Sequence, residues 1–518
     1  MKITVHDGAG VVGGNKILLQ DSGTSIFLDF GINYAQKGLY FEDFLQPRSA
    51  KGLLDLLETG IIPPLKGLYR SELEPEGLWK RFQHNTIGEI DGVLLSHAHM
   101  DHSGHISLLR EDIPIFMRLP TAVIAKAIQD SARPGFEGQV CYISSRIMEG
   151  GVSKSVSKAP YVGRHLRIIK EEIAASSMTL KKVEEFFQRI PTKSKGLETQ
   201  AIKFANKIGG LPVRAFTVDH SIFGATAYAI ETSSGWIVYT GDLRRHGKMG
   251  EFTEKFAQEV SKLKPRVLIM EGTNTAFTEH ITEDAVGERC MDVVKKGQGL
   301  VVADFGPRNL ERLLIFFRIA KESGRRLVVT AKDAYIMGSL APIVKDLKDA
   351  IEGEGLLIYQ EERAKNEGWE EEVYSVYEDR LISYENIYND PSSYILCFSF
   401  WDFNELIDIQ PKEGIYIYST SEAFDEEQRI DLIRWKQWLD HFNLKAFGFP
   451  DTETGKVREE EKGFHASGHM NGKDILWLNE TINPEVVIPV HTRNPGFFQE
   501  NIKGKKVILP PKGVPINF

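Results

Sequence analysis

Cysteine is scarce in this chain. Cys141, Cys290 and Cys397 stand far apart, each beside apolar neighbours, so neither a disulfide framework nor a Cys-rich zinc motif can be assembled from them. They read as buried free thiols in a reducing compartment. Long apolar runs are missing as well, since no stretch reaches the roughly 18–20 residues that a membrane-spanning helix needs. The opening MKITVHDGAGVVGGNKILLQ breaks its apolar residues with Asp and Gly, which excludes a secretory signal. Net positive charge is absent too, at −9 with a pI near 5.9. Nothing overall advertises a polyanion partner, although such binding depends on local patches. Internal repeats and low-complexity segments are not found. The expectation is a soluble, cytoplasmic protein with no membrane contact.

What is there is a long chain of 518 residues with ordinary apolar and charged content, 42% and 26%. That length predicts two globular units, or one unit interrupted by another. Residues 1–31 alternate β-rich runs with Gly and Asn turns (KITVH, NKILLQ, TSIFLDFG), a strand meander. GVLLSH is a further strand, and ISLLRED begins a helix. From about Leu119 to Lys207 the pattern turns helical, with KKVEEFFQRI the clearest amphipathic piece. Strands resume at LPVRAFTVDH, ATAYAIET, WIVYTGD and PRVLIMEG. From about Asn274 strand and helix alternate (GLVVADFG, NLERLLIFFRIAKESG, RRLVVTAK, YILCFSF, GIYIYSTS), the mark of a parallel α/β layer. Near residue 463 comes the small-residue loop GFHASGHMNG, then a helix, the strand EVVIPVH and a short tail.

Five apolar strands run directly into a residue that can bind metal or move a proton: GVLLS into His97, RAFTV into Asp219 and His220, WIVYT into Gly241 and Asp242, RVLIM into Glu271, EVVIP into Val490 and His491. Active sites gather where strands of a sheet end together. Five such endings, hundreds of residues apart, point to one shared site.

The densest piece is LLSHAHMDHSGH, with four histidines in twelve residues of a chain that has 14 in all. His97 and His99 stand two apart, so on an extended segment their rings point the same way and can grip one ion. Asp101 and His102 lie on the turn that follows and suit a second. Imidazoles with hard carboxylates fit Zn²⁺ and tolerate Mn²⁺. His220 can complete the first site, His491 the second, and Asp242 can bridge both. Taken alone, Asp242 reads more simply as a strand-end capping residue; together the set supplies the donor count that two ions need. Two dications outweigh Asp101, Asp242 and a bridging hydroxide in charge, which suits an anionic phosphodiester.

HAHMDH, His220 in VDHSIFG and Asp242 in YTGDLRRHG resemble the signature of the metallo-β-lactamase superfamily, and Asp29 in FLDFG resembles its first motif, an aspartate that steadies the metal loop. Glu271 in MEGTNT, His469 in HASGHM and His491 in IPVHT resemble motifs A, B and C of the β-CASP nucleases, nearest to the RNase J and cleavage-and-polyadenylation endonuclease branch. The resemblance implies an α/β fold: a metallo-β-lactamase αββα sandwich, 1–274 plus 463–518, with an inserted α/β β-CASP cap, 275–462. It implies a ribonuclease acting on single-stranded RNA through a two-metal-bridged hydroxide, because histidine at motif C goes with RNA substrates. Asp101, His469 and Glu271 become the catalytic residues, His469 as general acid for the leaving oxygen and Glu271 as the carboxylate that orients it.

For the rest of the RNA, the loop His465-Ala466-Ser467-Gly468 precedes a helix, and its N–H groups can hold a phosphate; helix N-capping by Ser467 is the plainer alternative. FGPRN (305–309) invites the same idea, but a structural turn fits it better. Residues 151–207 carry twelve Lys and Arg, Lys193 and Lys195 among them, against five Glu. This is a patch that phosphate backbones select, or a solvated helical insert. Two departures bear on the resemblance. Phe223 stands where RNase J relatives usually carry proline, and the RNase J-type C-terminal domain is not seen after His491, so any homodimer forms by another route. His105, His246 and His465 read as supporting or surface residues. The competing readings are a DNA nuclease, a small phosphoester or lactone hydrolase on the same site, and an inactive scaffold.

Overall fold

The structure, a computed structural model, describes residues 1–132, 135, 137–169, 177–192, 195–306, 308–421 and 426–518. Among these residues the chain forms three large sheets, so the α/β expectation holds. The first grows from the expected meander, in which Lys2–Asp7, Lys16–Asp21 and Thr24–Leu28 pair antiparallel. Gly92–Leu94, Ile115–Met117, Leu166–Ile169 and Lys203–Ala205 extend one side, and Pro515–Asn517 closes the other. The second runs Lys207–Ile208, Leu211–Thr217, Thr226–Thr232, Gly235–Tyr239, Val267–Met270, Val486–Pro489 and Lys506–Val507. Its last strands come from the far end of the sequence and lie parallel to Val267–Met270.

The pleat sorts each strand's side chains between two cores. Ile17 and Leu19 of the first sheet face Val267 and Ile269 of the second in one buried cluster, while Leu18 and Phe27 point back to the cluster that holds Leu56 and Leu57. Leu268 and Met270 point away from the first sheet, onto Phe256 and Val260 of the helix Gly250–Ser261 and onto Ile475 and Leu478 of the helix Gly472–Ile482. Each fully buried Leu, Ile or Val contributes about 1.5–3 kcal/mol.

The third sheet is parallel throughout, built from strands between Leu300 and Phe447. Leu300–Asp304 is buried at every position, as a strand covered on both faces must be. Val301 and Ala303 meet the helix Leu310–Glu322, and Leu300 and Val302 meet Phe403, Leu406 and Leu439.

The joint between the third sheet's helices and the other two sheets is charged and buried. Arg244 donates to Glu283 (2.8 Å) and Glu311 (2.9 Å) and lies 3.3 Å from Asp219, and Arg312 reaches Glu283 at 2.8 Å. Arg312 also donates to Ser419 and to the Phe464 carbonyl. Removing one partner of such a group leaves an uncompensated buried charge.

Three expectations are corrected. Among the described residues, the segment from Leu119 to Lys207 is helical only at Leu119–Asp130 and Ser177–Phe187. Between them, HLRII pairs with Ile115–Met117 and buries Leu166, Ile168 and Ile169 in the sheet, a tertiary pairing that overrides local pattern. Arg164 leaves the proposed basic patch, being 1% exposed and bonded to the Ile106, Leu109 and Arg110 carbonyls. The helix expected from Ile106 instead forms earlier, over Met100–Ser103 and Gly104–Leu108, because Leu109 is drawn into a bridge with Tyr69. The three cysteines are buried and free, as expected. Among the described residues no helix is long and apolar enough to cross a membrane.

Candidate metal centre

The strands singled out by sequence end at one place, where the two facing sheets meet the third. Thr24–Leu28 delivers Asp29 and Gly92–Leu94 delivers His97. On the second sheet, Leu211–Thr217 leads to His220, Gly235–Tyr239 to Asp242, Val267–Met270 to Glu271 and Val486–Pro489 to His491. Close packing forces the sequence at the bends. Gly31, two residues after Asp29, touches the motif loop so closely that a Cβ there would lie 1.7 Å from the Asp101 carbonyl oxygen. Asp29 and His491 sit at φ 56° and 50°, a left-handed conformation that side chains tolerate only when their surroundings impose it. His491 N donates to the Gly8 carbonyl at 2.8 Å, and Asp29 N to Leu94 at 3.1 Å.

Asp29 organises one side. Its carboxylate accepts from Ser96 N and Ser96 Oγ (both 2.7 Å), from the Tyr239 hydroxyl (2.6 Å) and from His102 Nδ1 (2.7 Å). With the Nδ1 proton of His102 on Asp29, the Nε2 lone pair faces inward. The same assignment follows elsewhere: His97 Nδ1 meets Ser96 Oγ (3.0 Å), His220 Nδ1 donates to the Gly468 carbonyl (2.5 Å), and His491 Nδ1 meets Thr273 Oγ1 (2.8 Å).

The inward nitrogens converge. His99 Nδ1 lies 3.1 Å from His97 Nε2 and 3.2 Å from His220 Nε2. Asp242 Oδ2 is the hub, 3.2 Å from His102 Nε2, 3.7 Å from His491 Nε2, 3.8 Å from His97 Nε2 and 3.9 Å from both His220 Nε2 and His469 Nδ1. Asp101 Oδ2 lies 3.2 Å from His491 Nε2 and 3.7 Å from His102 Nε2. With each imidazole singly protonated on its outer nitrogen, these inward atoms turn lone pairs on one another, an arrangement that cations between them satisfy. Asp242 Oδ1 is buried with no hydrogen-bond partner. The donors fall into two groups able to hold an ion, His97–His99–His220 and Asp101–His102–Asp242–His491, with Asp242 beside both. The chemistry of the set therefore fits divalent metal.

Electrostatics agree with the crowding. Burial lowers His97 and His220 well below the usual histidine range and brings His99 to about 4. Burial alone would favour neutral Asp242, yet His102 and His491 hold its carboxyl well below the ordinary range. His102 goes the other way: burial opposes its charge, but Asp242, Asp101 and Asp29 raise it well above the usual value.

His469 stands at the rim with its side chain 21% exposed, its Nδ1 2.8 Å from Glu271 Oε2. Burial would lower its pKa, but the Glu271 carboxylate outweighs that and raises it to about 9. Glu271 is held in turn by Leu243 N (2.8 Å) and Thr273 N (3.3 Å). His465, Ser467 and Gly468 line a cleft of about 890 Å³ together with His99, His220 and His469. Ser467 is not a helix cap: Asn471 caps Gly472–Ile482, and Ser467 Oγ accepts from His469 N at 3.1 Å.

Behind this loop, His246 donates to the Ser467 carbonyl (2.8 Å) and stacks on His280, which reaches Asp474 at 2.5 Å. His105 is buried against Glu137 rather than on the surface. Lys195 lies over the Tyr161 ring and donates to the Val156 carbonyl, away from this cleft. Lys193 lies outside the described residues.

Sequence reading missed Ser96, Tyr239 and Thr273, which fix the donors. Ser96 directly precedes His97, a signal of a kind. Tyr239 and Thr273 act through strand register, which only the fold reveals.

No protein-family model matches the chain. Among curated proteins it is similar to ribonuclease J 2 of Streptococcus pyogenes, 25% identical over 327 residues, 58% of this chain and 53% of that protein. It is also similar to ribonuclease J of Pyrococcus abyssi, 22% identical over 505 residues, 95% of this chain and 89% of that one. Endoribonuclease YSH1 of Candida albicans is 24% identical over 273 residues, 51% of this chain and 26% of its own length. The chain thus spans about half the length of the streptococcal relative. A crystal structure of a protein of unknown function from Enterococcus faecalis superimposes with a TM-score of 0.66 at 22% identity, covering 99% of each chain, a likeness of fold. The resemblance to β-CASP enzymes of the metallo-β-lactamase superfamily is borne out by these relatives, which are ribonucleases by name.

Proposed function

We propose that the chain is a divalent-metal-dependent ribonuclease that hydrolyses phosphodiester bonds of single-stranded RNA in the cleft between the facing sheets and the third sheet. The observation that carries this reading is the Asp242 carboxylate, surrounded by five imidazoles within 3.9 Å and keeping one buried oxygen without a partner. The names of the similar proteins support a nuclease. In the same reading, residues 1–274 and 463–518 form a metallo-β-lactamase αββα sandwich and 275–462 its β-CASP cap.

His97, His99 and His220 would hold one ion and Asp101, His102 and His491 a second, with Asp242 shared. Zn²⁺ fits the imidazole-rich set best and Mn²⁺ is compatible. Such ions supply Lewis acidity and bring the pKa of water down toward ~7. The chain's own residues do the rest. Asp29, Thr273 and the Gly468 carbonyl fix the tautomers of His102, His491 and His220, so their Nε2 lone pairs are presented without reorganisation. Glu271 keeps His469 protonated through neutral pH, and the exposed edge of that ring can give its Nε2 proton to the leaving oxygen. The backbone of Ser467 and Gly468 lies beside His469, placed to receive a phosphate.

The test is direct. Protein stripped of metal and reloaded with Zn²⁺ or Mn²⁺ should cut labelled single-stranded RNA and leave single-stranded DNA of the same sequence largely intact. Cleavage of DNA alone, or of RNA without metal, would overturn the reading.

A further inference from the structure

A second cavity, about 500 Å³, touches the metal loop at Met100 and is lined by neither Ser467 nor Gly468, within the roughly 300–1,000 Å³ typical of small-ligand sites. Tyr34, Lys37, Arg48, Met100 and Arg308 are part of its lining. Arg308 and Ile128 line this cavity and the large cleft alike, so the two spaces adjoin at these residues.

Three observations give the second cavity a chemistry. Lys37 is paired with Glu137 at 2.6 Å and Arg48 with Asp55 at 2.7 Å, whereas Arg308 has no hydrogen bond or ion pair among the described residues. Arg308 lines the large cleft together with His99 and His469, and the second cavity together with Tyr34 and Met100. Tyr34 keeps 54% of its surface exposed, although its backbone is anchored. Asn33 caps that turn and donates to Asp7, and Ile32 N donates to the Met100 carbonyl in the metal loop at 3.0 Å. An exposed ring that shares a cavity with an unpaired guanidinium matches what a single-stranded nucleic acid presents, a flat base and a phosphate.

We propose that this cavity receives the nucleotide flanking the scissile phosphate on the side away from Ser467 and Gly468, with Tyr34 stacked on its base and Arg308 on its phosphate. The inference rests on the ribonuclease reading above. It makes Arg308 the contact through which the third sheet's wall feels substrate at the metal centre.

Oligoribonucleotides carrying 2-aminopurine at successive positions around the cut, mixed by stopped flow with metal-loaded protein, would report stacking before turnover. One position next to the cut should be quenched. Tyr34→Ala should abolish that quench and raise KM about tenfold, with bound metal unchanged, while Tyr34→Phe keeps both. Arg308→Ala should raise KM and flatten its salt dependence by about 0.7 in the logarithmic slope, one phosphate contact on a single strand; Arg308→Lys should retain the slope. If wild-type protein cuts RNA while Tyr34→Ala and Arg308→Ala keep its KM, quench and salt slope, the inference is wrong and the ribonuclease reading stands. A metal-loaded wild type that cuts no RNA would remove both.

Discussion

On the wall built by the two facing sheets, the Asp29 carboxylate accepts four hydrogen bonds, and His97, His102, His220 and His491 each have the outer nitrogen on a fixed partner. On the opposite wall, built by the third sheet, Arg308 reaches the cleft with no partner among the described residues. The two walls face the same substrate but solve different problems. Donors that must share an ion need placement to within about half an ångström, which only locked rotamers provide. A wall that contacts a flexible strand gains from groups that stay unsatisfied until the strand arrives. The walls are tied by the buried Arg244 and Arg312 ion pairs, so the open side is still held against the closed one.

The comparison can be broken most forcefully at its hub. Asp242→Ala should release both ions and bring RNA cleavage down by more than about a thousandfold, read by elemental analysis and a cleavage assay on one preparation. His469→Ala should lose about 10²–10⁴ in kcat yet keep its metal, which separates proton transfer from ion binding.

The pH dependence sharpens that separation. With its folded pKa raised to about 9, His469 stays protonated through neutral pH. The stability it gains from Glu271 is fully present below about 6.5, its unfolded value, and is lost as pH rises through 9. Cleavage should therefore fall on the alkaline side near pH 9, and Glu271→Gln should move that limb to lower pH; an unmoved limb would detach Glu271 from His469. Asp29→Asn touches no inward donor but should weaken metal affinity about 10–100-fold, measured by competition with a chelating dye. The smallest effect belongs to Lys195→Ala. With Lys195 turned onto Tyr161, RNA affinity should change less than about twofold, where the basic-patch idea requires more.

Legibility in the sequence followed the range of the physics involved. HAHMDH was readable because its donors are neighbours on the chain, and the distant His220, Asp242 and His491 because each follows an apolar strand. The valine-rich strands of the third sheet announced themselves by continuous burial. HLRII did not, because its partner Ile115–Met117 lies some fifty residues earlier and nothing local marks a sheet edge. Tyr239 looked like any strand tyrosine; which face it takes is set by pairing with Thr226–Thr232 and Val267–Met270. Arg308 sat in FGPRN, where a turn was the plainer explanation. The turn is present, with Asn309 capping the helix that follows, but the arginine before it lines the cleft with His99.

The most direct trial is to titrate metal-free protein with Zn²⁺ by calorimetry and elemental analysis, beside His491→Ala. The account predicts about two equivalents for the wild type and about one for the variant, with His97, His99 and His220 still loaded. No tight binding in the wild type, or a stoichiometry indifferent to His491, would contradict a centre built from both ends of the chain.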